Sequence, residues 1–179
     1  MQIEVVRAPG PLSAALSDVV DTLGSKSAIA QALSHEITSA DLFAASAASQ
    51  QALTLARDDV EGVVGFLKTG IKHLFYMVTN FGARLVVPDG GDSPRGEYVE
   101  VDPICVLDFY VDVAWQRRGV GIQLFQHLLQ EERVAPAQLA YDRPSPKLFA
   151  FLKKHAGLTE YFPQPNRFVV FDAYFQSRQ

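Results

Sequence analysis

The spacing of apolar positions changes character along the chain. Near the start, Leu12, Leu16, Val19, Val20 and Leu23 recur at helical intervals and predict an amphipathic helix that stops at Gly24. A second helix is predicted from Ser27 to Leu33. Thr38 to Ala48 is small and polar, with Leu42 and Phe43 as its anchors, and reads as a short helix or a loop. The period then drops to two. Ala52 to Arg57 predicts a strand with Leu53 and Leu55 on one side, and Asp58-Asp59 a turn. Val63 to Thr69 and His73 to Val78 read as a hairpin around Gly70. Thr79 to Gly96 holds the run Pro88-Asp89-Gly90-Gly91-Asp92-Ser93-Pro94 and a short strand at Leu85 to Val87; a loop of this length points to function or mobility.

The second half is more sharply punctuated. Cys105, Leu107, Phe109, Val111 and Val113 are apolar at alternate positions, which predicts a strand over Ile104 to Val113 with one face in the core. Leu124, Phe125, Leu128 and Leu129 stripe a helix from Gly119 to Arg133. Gln138 to Asp142 predicts a short strand. Ser145 is a suitable N-cap, Pro146 suits the first helical position and Gly157 suits the stop, so Pro146 to Ala156 is a helix marked at both ends. A last strand is predicted over Arg167 to Phe175. There is no internal repeat. This order of helices, antiparallel strands and a strand-helix-strand-helix-strand close predicts a single α/β domain over residues 1–179 with a mixed sheet.

Composition narrows the class. At 179 residues, 48% of them hydrophobic, the chain is long enough for a substantial core. One cysteine, Cys105, allows no intrachain disulfide and suits a reducing compartment. No apolar run nears the ~20 residues of a membrane helix, and Met1 to Ala8 lacks the features of a secretory signal, so a soluble intracellular protein is expected. The net charge of -4 argues against a general nucleic-acid binder. Its distribution is uneven: Gln116 to Lys154 carries +4 and the remainder -8. A basic stretch in an acidic chain suits a phosphate-bearing ligand, or is a solvated helix face. His35, His73, His127 and His155 lack metal-ligand spacing, so no metal is expected.

The candidate chemistry begins at Gln116-Arg117-Arg118-Gly119-Val120-Gly121, between a buried strand and an amphipathic helix. Amides at a helix start are unpaired and carry partial positive charge. Two glycines let a bulky anion approach the main chain, and successive N–H groups then cradle a diphosphate, with Arg117 or Arg118 adding charge. The spacing Gln-x-x-Gly-x-Gly resembles the coenzyme A diphosphate loop of GNAT acetyltransferases. A third glycine, as in dinucleotide-binding folds, and the Gly-Lys-Ser/Thr of a P-loop are both absent.

Further stretches resemble the α-tubulin N-acetyltransferase family. They are Gly65-Phe66-Leu67-Lys68-Thr69-Gly70, Cys105-Val106-Leu107-Asp108-Phe109-Tyr110, Glu131-Glu132-Arg133-Val134, and Asp142-Arg143-Pro144-Ser145-Pro146-Lys147-Leu148. Ala30-Gln31-Ala32-Leu33-Ser34 and Ile37-Thr38-Ser39-Ala40 add to these, and the similarity runs from about Leu23 to Phe175. It weakens between Tyr76 and Asp102 and again at Asp112 to Trp115. The resemblance implies a GNAT-type fold, a central, mostly antiparallel mixed sheet flanked by helices. It implies acetyl-coenzyme A as donor and a lysine of α-tubulin in the microtubule lumen as acceptor. It also implies a monomer with a cytoplasmic, cytoskeletal address, including cilium or flagellum, that engages neither nucleic acid nor membrane. The coenzyme is expected at Phe109, Tyr110, Val111, Gln116, Arg117, Arg118, Gly119, Val120, Gly121 and Ile122, and at Ser145, Lys147 and Lys154. Gln31 falls on a substrate position, and Cys105 and Asp142 on catalytic positions.

A lysine amine attacks only when neutral, and at pH 7 that holds for about one in a few thousand, a cost of ~4–5 kcal/mol. A base is therefore needed. In a direct attack on the thioester, Asp142 takes the proton or positions the amine, and a backbone N–H of the Cys105–Val111 segment polarises the carbonyl; before Arg143-Pro144 Asp142 also suits a turn or cap. Cys105 lines the site, forms an acetyl-cysteine, or simply packs as a small core residue. Asp108, among apolar neighbours, reads as structural and must find partners. Lys147 and Lys154 reach coenzyme phosphates or remain solvated, and Gln31 contacts the acceptor or merely caps its helix. The competing functions are a GNAT enzyme with a different amine acceptor and a non-catalytic coenzyme- or microtubule-binding module.

Overall fold

The computed structural model describes residues 1–8, 10, 12–46, 50–78 and 97–176; the strand expected at 85–87 and the Gly/Asp/Pro run lie outside the described residues. The chain forms two compact units, Met1–Ile71 with Val106–Val134, and Lys72–Cys105 with Ala135–Gln179.

In the first unit, strands β1 (Gln2–Arg7), β2 (Ala52–Asp58), β3 (Gly62–Ile71) and the later β6 (Ile104–Val111) lie in that order. β1 and β2 are antiparallel, with Gln2 opposite Arg57 and Arg7 opposite Ala52. β2 and β3 are antiparallel with an irregularity at Ala56/Arg57. β1 is a correction to the sequence reading, which placed no strand before Ala52. Asp58 accepts from the N–H groups of Val60 and Glu61, so the expected turn is built. Gly65 lets β3 and β6 meet closely: a Cβ there would lie 3.0 Å from the Tyr110 carbonyl oxygen and 3.2 Å from Val111 Cα.

The helices of this unit are α1 (Ala14–Ala30), α2 (Ala40–Ala44) and α3 (Val120–Glu132). The two helices expected before residue 34 are one, and Gly24 is not a stop. A Cβ on Gly24 would sit 1.9 Å from the Thr38 carbonyl oxygen, so the missing side chain admits the returning chain onto α1. α1 ends instead at Gln31, its C-cap, and the chain reverses through left-handed Ala32. Val20 and Leu23 of α1, Phe43 of α2, Leu53 and Leu55 of β2, Val63 and Phe66 of β3 and Tyr110 of β6 make one core cluster. Each such buried aliphatic or aromatic side chain contributes about 1.5–3 kcal/mol over its exposed state. α3 adds Val120, Leu124, Phe125 and Leu128 and packs on β2 and β3. β6 is buried on both faces rather than one, as β2 and β3 are; its one charged residue is Asp108.

In the second unit, β4 (Leu74–Val78) pairs antiparallel with β5 (Glu97–Val101). The expected hairpin around Gly70 is therefore absent: Gly70 is a buried residue inside β3, which pairs with β2, and β4 takes a different partner. β7 (Ala140–Asp142) pairs antiparallel with β8 (Phe168–Val170). α4 (Pro146–Ala156) has the ends its sequence announces: Ser145 Oγ accepts from Leu148 N–H, and Gly157 closes it with a left-handed φ of 66°. The last strand is shorter than expected. Phe171 bridges to Tyr161, and the chain then turns into α5 (Ala173–Gln176), burying Tyr174. Tyr141 and Tyr161 each contact Phe171 edge to face, with ring centroids 5.7 Å apart in both pairs.

Candidate active site

The segment entering α3 is shaped by side chains that hold one another. Asp112 accepts from Ala114 N–H and pairs with Lys26 Nζ at 2.6 Å, which holds the Asp112 carboxyl below its ordinary pKa. Gln116 donates its side-chain amide to the Val111 carbonyl at 2.8 Å. It thus braces the loop, a role distinct from the ligand contact expected of it. Arg117 (φ 63°) and Gly119 (φ 82°) are left-handed, and the turn between them brings the main chain into α3. Arg118 lies over the Trp115 ring, 5.2 Å from its centroid. Arg117 and Arg118 are exposed.

α3 begins with no side-chain hydrogen bond from its N-cap, Gly119, and no acid in its first turn. A Cβ on Gly119 would meet only the Gln123 side chain, at 3.9 Å, so a large anion has room to approach. Uncapped amides, an open glycine and two exposed arginines fit the diphosphate of coenzyme A. Within this set Val120 turns its side chain into the core and offers only main chain, as does Tyr110, which packs against Phe66. Phe109, Val111, Gly121 and Ile122 are half-buried.

Gln31, expected at the substrate, is half-buried at the end of α1. Its amide donates to Ser27 Oγ at 2.9 Å and to Asp108 Oδ1 at 3.0 Å. Asp108, only 4% exposed, also receives Ser27 Oγ at 2.8 Å and Thr38 Oγ1 at 2.5 Å. The partners demanded of this buried carboxylate are present, and the link from Asp108 to Gln31 was invisible in the sequence.

In the second unit, Asp142 ends β7, its side chain 18% exposed. Its Oδ1 accepts from Arg143 Nε at 3.0 Å, and Arg143 is itself left-handed and half-exposed. Asp142 and Arg143 line a cavity of about 690 Å³ with Lys72, His73, Phe75 and Arg167. None of these last four was singled out from sequence as a site residue. For His73 and Phe75 the signal is faint: exposed side chains at alternate positions where β4 begins. His73 stands between Asp102 (2.7 Å) and Glu100 (3.4 Å), which raise its pKa, Asp102 foremost.

Cys105 is fully buried, with Sγ 3.5 Å from the Pro103 carbonyl oxygen. Burial pushes its thiol up to about 12, and the charge of Asp142 adds to this. Ser145 spends its hydroxyl on the α4 cap, while Lys147 and Lys154 are exposed on that helix. Among the described residues no group of His, Cys, Asp or Glu could hold a metal ion, and no helix is long and apolar enough to cross a membrane.

The solved structures give the fold. The xEco2 acetyltransferase domain superposes with a TM-score of 0.55 at 9% identity, covering 86% of this chain and 85% of that one. The same domain bound to a CoA conjugate gives 0.58 at 12% identity over 87% and 86%. At such identities the likeness is of fold alone, and the fold is an α/β acetyltransferase fold. The family follows from sequence. The model described as GNAT acetyltransferase, Mec-17, matches residues 2–179, and the chain belongs to that family. It is 66% identical to the "Alpha-tubulin N-acetyltransferase" of Phytophthora infestans, each chain covered in full. It is 44% identical to the protein of that name from Tetrahymena thermophila, over 90% of this chain and 36% of the relative. It is 42% identical to "Alpha-tubulin N-acetyltransferase 1" of Danio rerio, over 95% and 52%. The chain thus spans about a third to a half of these last two.

Proposed function

We propose that this chain transfers the acetyl group of acetyl-coenzyme A to a lysine amine of α-tubulin in the microtubule lumen, as a single N-acetyltransferase domain acting as a monomer. The observation that carries the reading is the 66% identity, end to end, with a relative named for that activity. The uncapped, glycine-opened start of α3 supports the choice of donor.

Acetyl-coenzyme A would supply an activated thioester: the neutral amine attacks its carbonyl carbon, the carbon–sulfur bond breaks, and coenzyme A leaves as the thiol with the proton that the attacking nitrogen gives up. The amides of Val120, Gly121 and Ile122, with Arg117 and Arg118, take its diphosphate, and the main chain of Phe109 to Val111 orients the rest. Lys147 and Lys154 add positive charge from α4. Asp142 accepts the proton of the incoming ammonium and restores the nucleophile. Cys105 lines the site. A thiol held near 12 is a poor nucleophile, so an acetyl-cysteine route is disfavoured. On this reading the chain works in the cytoplasm on the cytoskeleton, axonemal microtubules of cilia or flagella included.

The test is transfer from labelled acetyl-coenzyme A to polymerised microtubules, with histones and polyamines in parallel and the product located by mass spectrometry. One acetylated lysine on α-tubulin is expected. Transfer to another amine with none to tubulin would discard the acceptor and keep the chemistry. Coenzyme binding without turnover would point to a binding module.

A further inference from the structure

We propose that Asp108 is a positioning residue that fixes the side-chain amide of Gln31 so that its carbonyl oxygen, Oε1, is the atom offered to the acceptor substrate, where it takes a hydrogen bond from an N–H group. This rests on the acetyltransfer reading above and names a recognition chemistry within it.

The hydrogen bonds leave one consistent assignment. An ionised carboxylate only accepts. Asp108 Oδ1 lies 3.0 Å from the Gln31 amide, so the atom facing it must be the NH₂ group. Ser27 agrees: its hydroxyl donates to Asp108 at 2.8 Å and accepts from Gln31 Nε2 at 2.9 Å. Turning the amide over would set Oε1 against Oδ1, two acceptors face to face, and would strip Ser27 of a donor. With both amide hydrogens engaged inward, Oε1 points the other way. It takes no hydrogen bond among the described residues, and Gln31 is half-buried rather than enclosed.

The support beneath this arrangement is unusually firm for a helix end. Thr38 also donates to Asp108, at 2.5 Å, and the Thr38 main chain rests on Gly24, where any side chain would collide with it. α1, the segment returning from it and β6 are thus tied at one buried carboxylate. β6 continues from Asp108 directly into Phe109 to Val111, expected at the coenzyme. A side chain built only to cap α1 would need no such fixing, because the cap bonds of Gln31 come from its main-chain N–H. The presented atom is an acceptor, so its counterpart is a donor: the ammonium of the acceptor lysine or a main-chain amide beside it.

Three variants test this on the full chain, with microtubules as acceptor and the unsubstituted chain run alongside. Gln31→Leu removes the oxygen and is expected to raise the KM for tubulin about 5- to 10-fold, the loss of one hydrogen bond, with the KM for acetyl-coenzyme A unchanged. Gln31→Glu keeps an oxygen but sets two carboxylates together, and is expected to lose more. Adding Asp108→Asn to Gln31→Glu lets the new amide donate to the new carboxylate, reversing the polarity of the pair while still presenting an oxygen. It is expected to recover most of the loss. Circular dichroism and melting temperature separate folding from recognition, and the rescue is readable even where Gln31→Leu folds badly. Peptide acceptors with single N-methylated amides tell the donors apart: one intolerant amide, tolerated in Gln31→Leu, marks the main chain, and none marks the ammonium. An unchanged tubulin KM in Gln31→Leu, or no rescue by Asp108→Asn, overturns the inference alone. No transfer to tubulin by the unsubstituted chain overturns it together with the proposed function.

Discussion

Asp108 and Asp142 are the same functional group in opposite circumstances. Asp108, in the first unit, accepts from Ser27, Gln31 and Thr38 and is 4% exposed. Asp142, in the second, has the guanidinium of its neighbour Arg143 as partner, is 18% exposed and borders a cavity. A carboxylate that accepts hydrogen bonds from three side chains is spent on holding the fold. One held by a single side chain that reaches solvent can exchange that partner for a substrate. The difference teaches that two carboxylates in one chain are told apart by how many partners hold them and how far they reach solvent, the first suited to holding the fold and the second, on the function proposed above, to chemistry.

Substituting the two residues makes the contrast measurable. Asp142→Asn should lower kcat about 10²- to 10⁴-fold, the usual weight of a general base, and leave the melting temperature within ~2 °C. Near-normal turnover in that variant would erase the contrast from the chemical side. Cys105 sharpens it next, since it shares the surroundings of Asp142 without its access. With the thiol near 12, only ~1 in 10⁴ is thiolate at pH 8, so alkylation by iodoacetamide should run about 10³-fold slower in the folded chain than in urea. Rapid labelling of the folded chain would reopen the covalent route. Asp108→Leu should do to stability what Asp142→Asn does to rate. It strands two hydroxyls and an amide, at about 2–4 kcal/mol, or ~5–15 °C in melting temperature for a chain of this size. A loss under ~0.5 kcal/mol would mean that the buried network does not hold the fold.

Most of the secondary structure was legible where local chemistry is strong. α4 was readable end to end because Ser145, Pro146 and Gly157 each impose a backbone geometry. The loop into α3 was readable for the same reason, through Gly119. What failed was whatever depends on distant chain. Gly24 looks like a stop until Thr38 is known to lie on it, and Gly70 looks like a turn until β3 is known to run on through it to Ile71. Candidate site residues were legible mainly through family-specific stretches. Asp108 was recognisable as a buried charge in need of partners, but a sequence cannot say that two of them stand on α1 and one beyond it. The cavity wall at His73 and Phe75 was missed because two alternating exposed side chains at the start of a short strand leave too brief a trace.

His73 supplies the weakest case and so the finest test. Here too a carboxylate, Asp102, has a close partner, at 2.7 Å, but both side chains are about half-exposed or more. Asp102 first, then Glu100, raise the imidazole above its ordinary value. A group whose folded pKa is raised stabilises fully below its unfolded value, ~6.5, and loses that contribution as pH climbs through the folded value. His73→Gln should therefore melt below the unsubstituted chain near pH 6 and converge with it by about pH 9. The gap should be small and should shrink in high salt, because solvent screens an exposed pair. A gap that persists at pH 9 would assign the role of His73 to its edge-on packing against Phe75, 5.1 Å between ring centroids, rather than to its charge. A gap that resists salt would mean that the cavity shields the pair from water, and Asp102 would then belong with Asp108 rather than apart from it.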